Sequence, residues 1–80
     1  MSNQMRSVRV DVCCPNEAEN KKLDKIIKKF GAIVLSQEYY PDDYTLEVET
    51  YVHKKDVNRY LNQIDKAGFI GCQPLHEINM

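Results

Sequence analysis

Two stretches of this chain carry apolar residues at the same spacing. Leu23, Ile26, Ile27 and Phe30 fall at i, i+3, i+4 and i+7, and so do Val57, Tyr60, Leu61 and Ile64. Residues at that spacing share one face of a helix, so each stretch is an amphipathic helix with one face to bury. A glycine follows each stripe, Gly31 and Gly68, where the left-handed residue that closes a helix belongs. Asn16 precedes the first stripe with Glu19 three residues later, which is a capping-box pattern. Two such helices in 80 residues need a common surface to cover, and the segments between them supply it.

Those segments read as strands. Val8, Val10 and Val12 alternate with Ser7, Arg9 and Asp11, and Pro15 closes the run. Ala32 to Tyr40 is β-branched and aromatic without a helical stripe. Pro41-Asp42-Asp43 is turn chemistry. Tyr44 to Val52 alternates again, with Leu46, Val48 and Val52 on one face and Thr45, Glu47, Glu49 and Tyr51 on the other. The short turn makes the second and third strands a hairpin. Phe69 to Ile78 reads as a fourth strand, and Pro74 inside it suits an edge. The order is β-α-β-β-α-β. Right-handed crossovers place both helices on one face of a four-stranded antiparallel sheet of order 4-1-3-2. The fold class is therefore α+β, ferredoxin-like. Residues 1–5 read as a loose tail and 6–80 as one domain, for which 42% apolar content is sufficient. The valines of the first strand must face the helices. Arg9, Asp11, Glu47, Glu49 and Tyr51 are left on the open face.

Net charge is −1, but the sum hides an asymmetry. Lys21, Lys22, Lys25, Lys28 and Lys29 outnumber Glu17, Glu19 and Asp24 in the first helix. Lys54, Lys55, Arg59 and Lys66 outnumber Asp56 and Asp65 around the second. The remaining segments are acidic. The helical side is thus mildly basic and the sheet side acidic, and the lysines are either a solvated face or a phosphate-binding one.

Several chemistries are poorly served. An RNA-recognition motif stacks bases on aromatics of the open sheet face, and here that face holds carboxylates, with Tyr51 alone suitably placed. Cys13 and Cys14 sit where heavy-metal domains of this topology carry Cys-x-x-Cys, but adjacent thiols on a strand point to opposite faces. One buried and one exposed cysteine is the expectation, with no metal site. Cys13-Cys14-Pro15-Asn16 lacks the arginine and glycine that acylphosphatases place after the first strand. His53 and His76 have no nucleophile or carboxylate partner in sequence. No catalytic residue, metal or cofactor is expected, and the protein is not read as an enzyme.

Three cysteines, Cys13, Cys14 and Cys72, are a poor disulfide framework. No apolar run approaches the length of about 20 residues a membrane span requires, and the N-terminal residues carry no signal-peptide core. The expected location is the cytoplasm.

Tyr39-Tyr40-Pro41-Asp42-Asp43-Tyr44 gathers three tyrosines and two aspartates around one turn. Tyrosine is enriched at protein interfaces. The expected protein-binding residues are Tyr39, Tyr40, Asp42, Asp43, Tyr44, Glu47, Glu49 and Tyr51. The expected function is a non-enzymatic module, an inhibitor, adaptor or regulatory subunit, that meets a protein partner; a homodimer through a sheet face or edge is a further expectation. The alternative is an RNA binder using Lys21, Lys22, Lys25, Lys28 and Lys29.

From Lys22 to about Gly71 the residues Leu23, Ile27 and Phe30-Gly31-Ala32, then Ser36-Gln37-Glu38-Tyr39, then Asp43-Tyr44-Thr45-Leu46-Glu47-Val48 resemble the small C-terminal domain of IMPACT-type proteins, itself similar to the fifth domain of elongation factor G. That resemblance implies the same fold and a nucleic-acid partner. The chain also resembles ACT regulatory domains at Asp11-Val12-Cys13-Cys14-Pro15-Asn16, although the spacing is longer than in that family's loop and Asn16 stands where it has glycine. This second resemblance implies a small-ligand sensor.

Overall fold

A computed structural model describes residues 4–73. The elements follow in the order β1 (Met5–Cys13), α1 (Glu17–Lys29), β2 (Ile33–Tyr40), β3 (Thr45–His53), α2 (Val57–Lys66) and β4 (Ile70–Cys72), with a 3-10 turn at Lys54–Asp56 leading into α2. The four strands form one antiparallel sheet in the order β2-β3-β1-β4, the expected 4-1-3-2 counted from the other edge. The fold is α+β. The expected strand from Phe69 to Ile78 is β4 as far as Cys72; Pro74, His76 and the rest of 74–80 lie outside the described residues, as do 1–3 of the expected tail.

Local signals account for the helix ends. The Asn16 side chain accepts a hydrogen bond from the Glu19 backbone N–H at 2.9 Å, satisfying one of the donors a helix start leaves orphaned. Both helices stop in the same way. At α1, Gly31 N–H donates to the Lys28 carbonyl and Ala32 N–H to that of Ile27; at α2, Gly68 N–H donates to Asp65 and Phe69 N–H to Ile64. This double bond is the Schellman closure, and it needs a left-handed residue. Gly31 at φ +63° and Gly68 at φ +91° supply it.

One core joins the helices to the inner strands. Val8, Val10 and Val12 of β1 and Val48 and Val52 of β3 pack with Leu23, Ile26 and Ile27 of α1 and with Val57, Tyr60 and Ile64 of α2. The Tyr60 ring meets Phe30 edge-to-face at 5.5 Å. Its hydroxyl reaches Thr50 Oγ1 at 3.0 Å, and Thr50 Oγ1 reaches the Val8 carbonyl at 2.8 Å. A carbonyl can only accept, so Thr50 donates to Val8 and Tyr60 donates to Thr50. This chain satisfies both hydroxyls at the centre of the core, as burial requires. Burial pushes the Tyr60 hydroxyl above its ordinary pKa.

β2 is different. All eight of its residues are exposed, although Ile33, Val34, Leu35, Tyr39 and Tyr40 are apolar or aromatic. The strand sits at the sheet edge, and Leu35 is an extra residue in its register, between the pairs Val34–Thr50 and Ser36–Glu49. Such a bulge shifts which side chains face which side. Val34, Gln37 and Tyr39 pair with the helix-side residues Thr50, Val48 and Leu46, whereas Ile33, Ser36, Glu38 and Tyr40 pair with the open-face residues Tyr51, Glu49, Glu47 and Thr45. A groove of about 160 Å³ remains between α1 and this strand, lined by Asn20, Leu23, Asp24, Ile27, Val34, Gln37 and Val48.

Candidate functional site

The register fixes what lies on the open face. Glu38 of β2 stands opposite Glu47 of β3, and Glu47 stands opposite Asp11 of β1. Three carboxylates therefore run in one row across three strands. Like charges directly opposite each other destabilise a sheet. The next row is Ser36, Glu49, Arg9 and Cys72. Arg9 is the one guanidinium in these two rows. Its Nε lies 3.6 Å from Glu47 Oε2 and 3.9 Å from Asp11 Oδ1, and both Arg9 Nε and Asp11 Oδ1 are shielded without making a hydrogen bond. Glu49 accepts from the Ser7 hydroxyl at 2.8 Å. Four carboxylates thus face one guanidinium, with unused hydrogen-bonding capacity at the centre. Apolar groups border them: Tyr51 and Ile33 pair beyond one end of the rows, Tyr40 lies at the other, and Ile70 flanks Asp11.

The hairpin tyrosines do not share a face. Tyr40 points to the open side and Tyr39 to the helix side, because they are consecutive on a strand. The Tyr40 hydroxyl is raised above its ordinary pKa, first by its hydrogen bond to the Glu38 carboxylate, then by desolvation and by the charges of Glu38 and Glu47. Tyr44 belongs to the turn. It is 64% exposed and holds φ at +50°, a left-handed conformation costly for a bulky residue. Cys14, also at φ +50°, donates its backbone N–H to the Tyr44 carbonyl at 2.6 Å. The β1–α1 loop therefore clamps the hairpin. Asp42 and Asp43 are exposed in the same turn. Of the expected protein-binding residues, Glu47, Glu49, Tyr51 and Tyr40 lie on one face, Asp42, Asp43 and Tyr44 at its end, and Tyr39 behind it.

Sequence reasoning missed Glu38 as a member of the site. The signal was present: with Tyr40 paired to Thr45 across the turn, counting back two positions on each strand puts Glu38 against Glu47. The cysteine expectation is corrected as well. Cys13, Cys14 and Cys72 are all exposed: Cys13 lies on the open face, beside Thr45, and Cys14 is in a turn. Among the described residues no group of three or more His, Cys, Asp or Glu is arranged to hold a metal ion.

The lysines of α1 lie opposite its buried stripe. Lys28 pairs with Asp24 at 3.1 Å and Lys22 with Glu19 at 3.4 Å. Lys22 also donates to the Ala67 carbonyl and sits 5.6 Å from the Phe69 ring centre. Lys29 and Arg59 both approach the Phe30 ring, at 5.7 and 5.8 Å. Of these, Lys22, through Ala67 and Phe69, and Arg59, through Phe30, link α1 to α2 and the chain that follows it; the other contacts stay within α1. Lys21 and Lys25 carry no ion pair among the described residues. No described helix is long and apolar enough to cross a membrane.

No protein-family model matches the chain, and no curated protein matches it.

Proposed function

We propose that the protein is a non-enzymatic binding module of ferredoxin-like type that docks a basic segment of a protein partner on its open sheet face, as a small inhibitor, adaptor or regulatory subunit. The observation that carries this reading is the row Glu38–Glu47–Asp11. The row costs the free protein stability through repulsion, and arginine or lysine from a partner would turn that cost into attraction. Charge complementarity of this kind steers association and fixes register. Tyr40, Tyr51 and the strained, outward Tyr44 supply the large apolar area that anchors an interface. Strain held at an exposed aromatic is a known mark of a functional site. A cytoplasmic location suits the three exposed thiols, which persist in a reducing compartment. The resemblance to the C-terminal domain of IMPACT-type proteins or to ACT domains belongs to this same proposal and is supported by the element order alone.

The test is a pull-down from lysate with and without ribonuclease, using tagged wild-type protein and the variant Asp11→Asn, Glu38→Gln, Glu47→Gln. A defined protein kept by the wild type and lost by the variant is the expected result. Recovery of RNA that is lost on ribonuclease treatment, falls steeply with salt and depends on Lys21 and Lys25 would overturn the reading and move the function to α1.

A further inference from the structure

β2 departs from what edge strands ordinarily look like. Natural edges are blunted with lysine, proline, inward charges or very short strands, because an open row of backbone N–H and C=O groups templates pairing with another chain. β2 is eight residues long and contains neither lysine nor proline. Its one charge is Glu38, and Ile33 and Leu35 are about half exposed. The bulge at Leu35 is its one protection. Beside it the groove under α1 stays open.

The residue order along β2 is self-complementary about Gln37. When two copies lie antiparallel, with Leu35 left as the extra residue in each, Gln37 meets Gln37 of the second copy, Glu38 meets Ser36, Tyr39 meets Val34, and Tyr40 meets Ile33. Every pair then joins residues of the same face: Val34, Gln37 and Tyr39 on the helix side, Ile33, Ser36, Glu38 and Tyr40 on the open side. No like charges oppose each other, which is the arrangement sheets favour. A register centred on Glu38 would set two carboxylates together. One centred on Ser36 would leave both tyrosines unpaired. The central amides can donate to and accept from each other, and each Ser36 hydroxyl can donate to a Glu38 carboxylate.

The groove supplies an independent reason for the same register. Val34 lines it, so a Tyr39 ring set beside Val34 on the helix side lies at its mouth. A space of this volume, with both apolar and polar walls, accepts a tyrosine ring. Leu23, Ile27 and Val48 form the walls, and Asn20 and Asp24 lie where a phenol hydroxyl needs a partner.

We infer that two copies of this chain join β2 to β2 about a twofold axis at Gln37, making one eight-stranded sheet in which each Tyr39 fills the groove under the other copy's α1. The interface is isologous, and it sets the two acidic open faces side by side. It does not depend on the partner reading above: a dimer can form whether or not a basic segment binds.

Sedimentation velocity of the purified chain across micromolar to millimolar concentrations tests it, with circular dichroism confirming that each variant is folded. The wild type is expected to form a dimer. Tyr39→Lys and Val34→Lys are each expected to weaken it by about tenfold or more. Mixing Val34→Lys with Tyr39→Glu is expected to restore a dimer, because the new ammonium on one copy then meets the new carboxylate on the other across the axis. In a background with Cys13, Cys14 and Cys72 changed to Ser, Gln37→Cys is expected to oxidise to a disulfide-linked dimer, since paired antiparallel residues bring Cα atoms within disulfide reach. A chain that stays monomeric throughout overturns the proposal. So does a dimer that is indifferent to residues 34 and 39, or a Gln37→Cys chain that does not cross-link.

Discussion

β1 and β2 are both rich in apolar residues, yet they live in opposite environments. Val8, Val10 and Val12 of β1 are fully buried between neighbours on both sides and helices above. Ile33, Val34 and Leu35 of β2 are exposed, although by composition they are the more apolar run. Apolar content alone therefore does not say which strand is core. Position in the sheet order does: β1 is flanked by β3 and β4, whereas β2 has β3 on one side and no strand on the other among the described residues. Contiguous exposed apolar surface is where interaction sites are sought.

The sharpest way to break the comparison is to truncate one side chain in each region. Ile64→Ala, at a fully buried position under the sheet, is expected to cost about 2–5 kcal/mol in chemical denaturation. Ile33→Ala is expected to stay within about 0.5 kcal/mol in the monomer. Equal losses would show that β2 is packed after all.

Next in size is the buried polar chain of the central region. Thr50→Val leaves the Tyr60 hydroxyl without its acceptor and the Val8 carbonyl without its extra donor. The expected loss is about 1–3 kcal/mol. Adding Tyr60→Phe removes the orphaned hydroxyl, so the double variant is expected to be less destabilised than the sum of the singles, a coupling read from the mutant cycle.

Tyr60 also gives the centre an alkaline limit. Its folded pKa is raised above 10.0, so the unfolded chain releases that proton first. Stability from this group is complete below pH 10.0 and is lost as pH climbs through the folded value. Tyr60→Phe is expected to cost about 0.5–1.5 kcal/mol at neutral pH yet to lose less on going to alkaline pH. An unchanged alkaline slope would mean another tyrosine sets the limit.

The smallest effect separates function from stability at the edge. Glu38→Gln relieves the repulsion with Glu47 and keeps an acceptor for Tyr40. It is expected to stabilise the protein by about 0.2–1 kcal/mol in low salt while weakening capture of a basic partner. A more stable variant that binds as well as the wild type would remove the carboxylate row from the interface.

Much of this was legible in the residues. The two helical stripes, the Asn16 cap and the glycines behind each helix are local signals, and local hydrogen bonding fixes their outcome wherever the chain goes. The alternation in β1 and β3 likewise settled which of their residues face the core, because side chains on a strand have a period of two. The bulge at Leu35 was not legible, since it depends on how β2 aligns with β3 across a turn. It decides the faces of Ile33 and Val34 alone; Tyr39, Tyr40 and Glu38 lie on the turn side of it, where counting from the Tyr40–Thr45 pair already sets the register. Exposure of Cys14 was likewise decided by the chain's path at the sheet end, where it turns left-handed to bond Tyr44. Local sequence determined the elements and their faces. Only the tertiary structure decided which faces met, because pairing register and helix coverage are set by contacts between residues far apart in the chain.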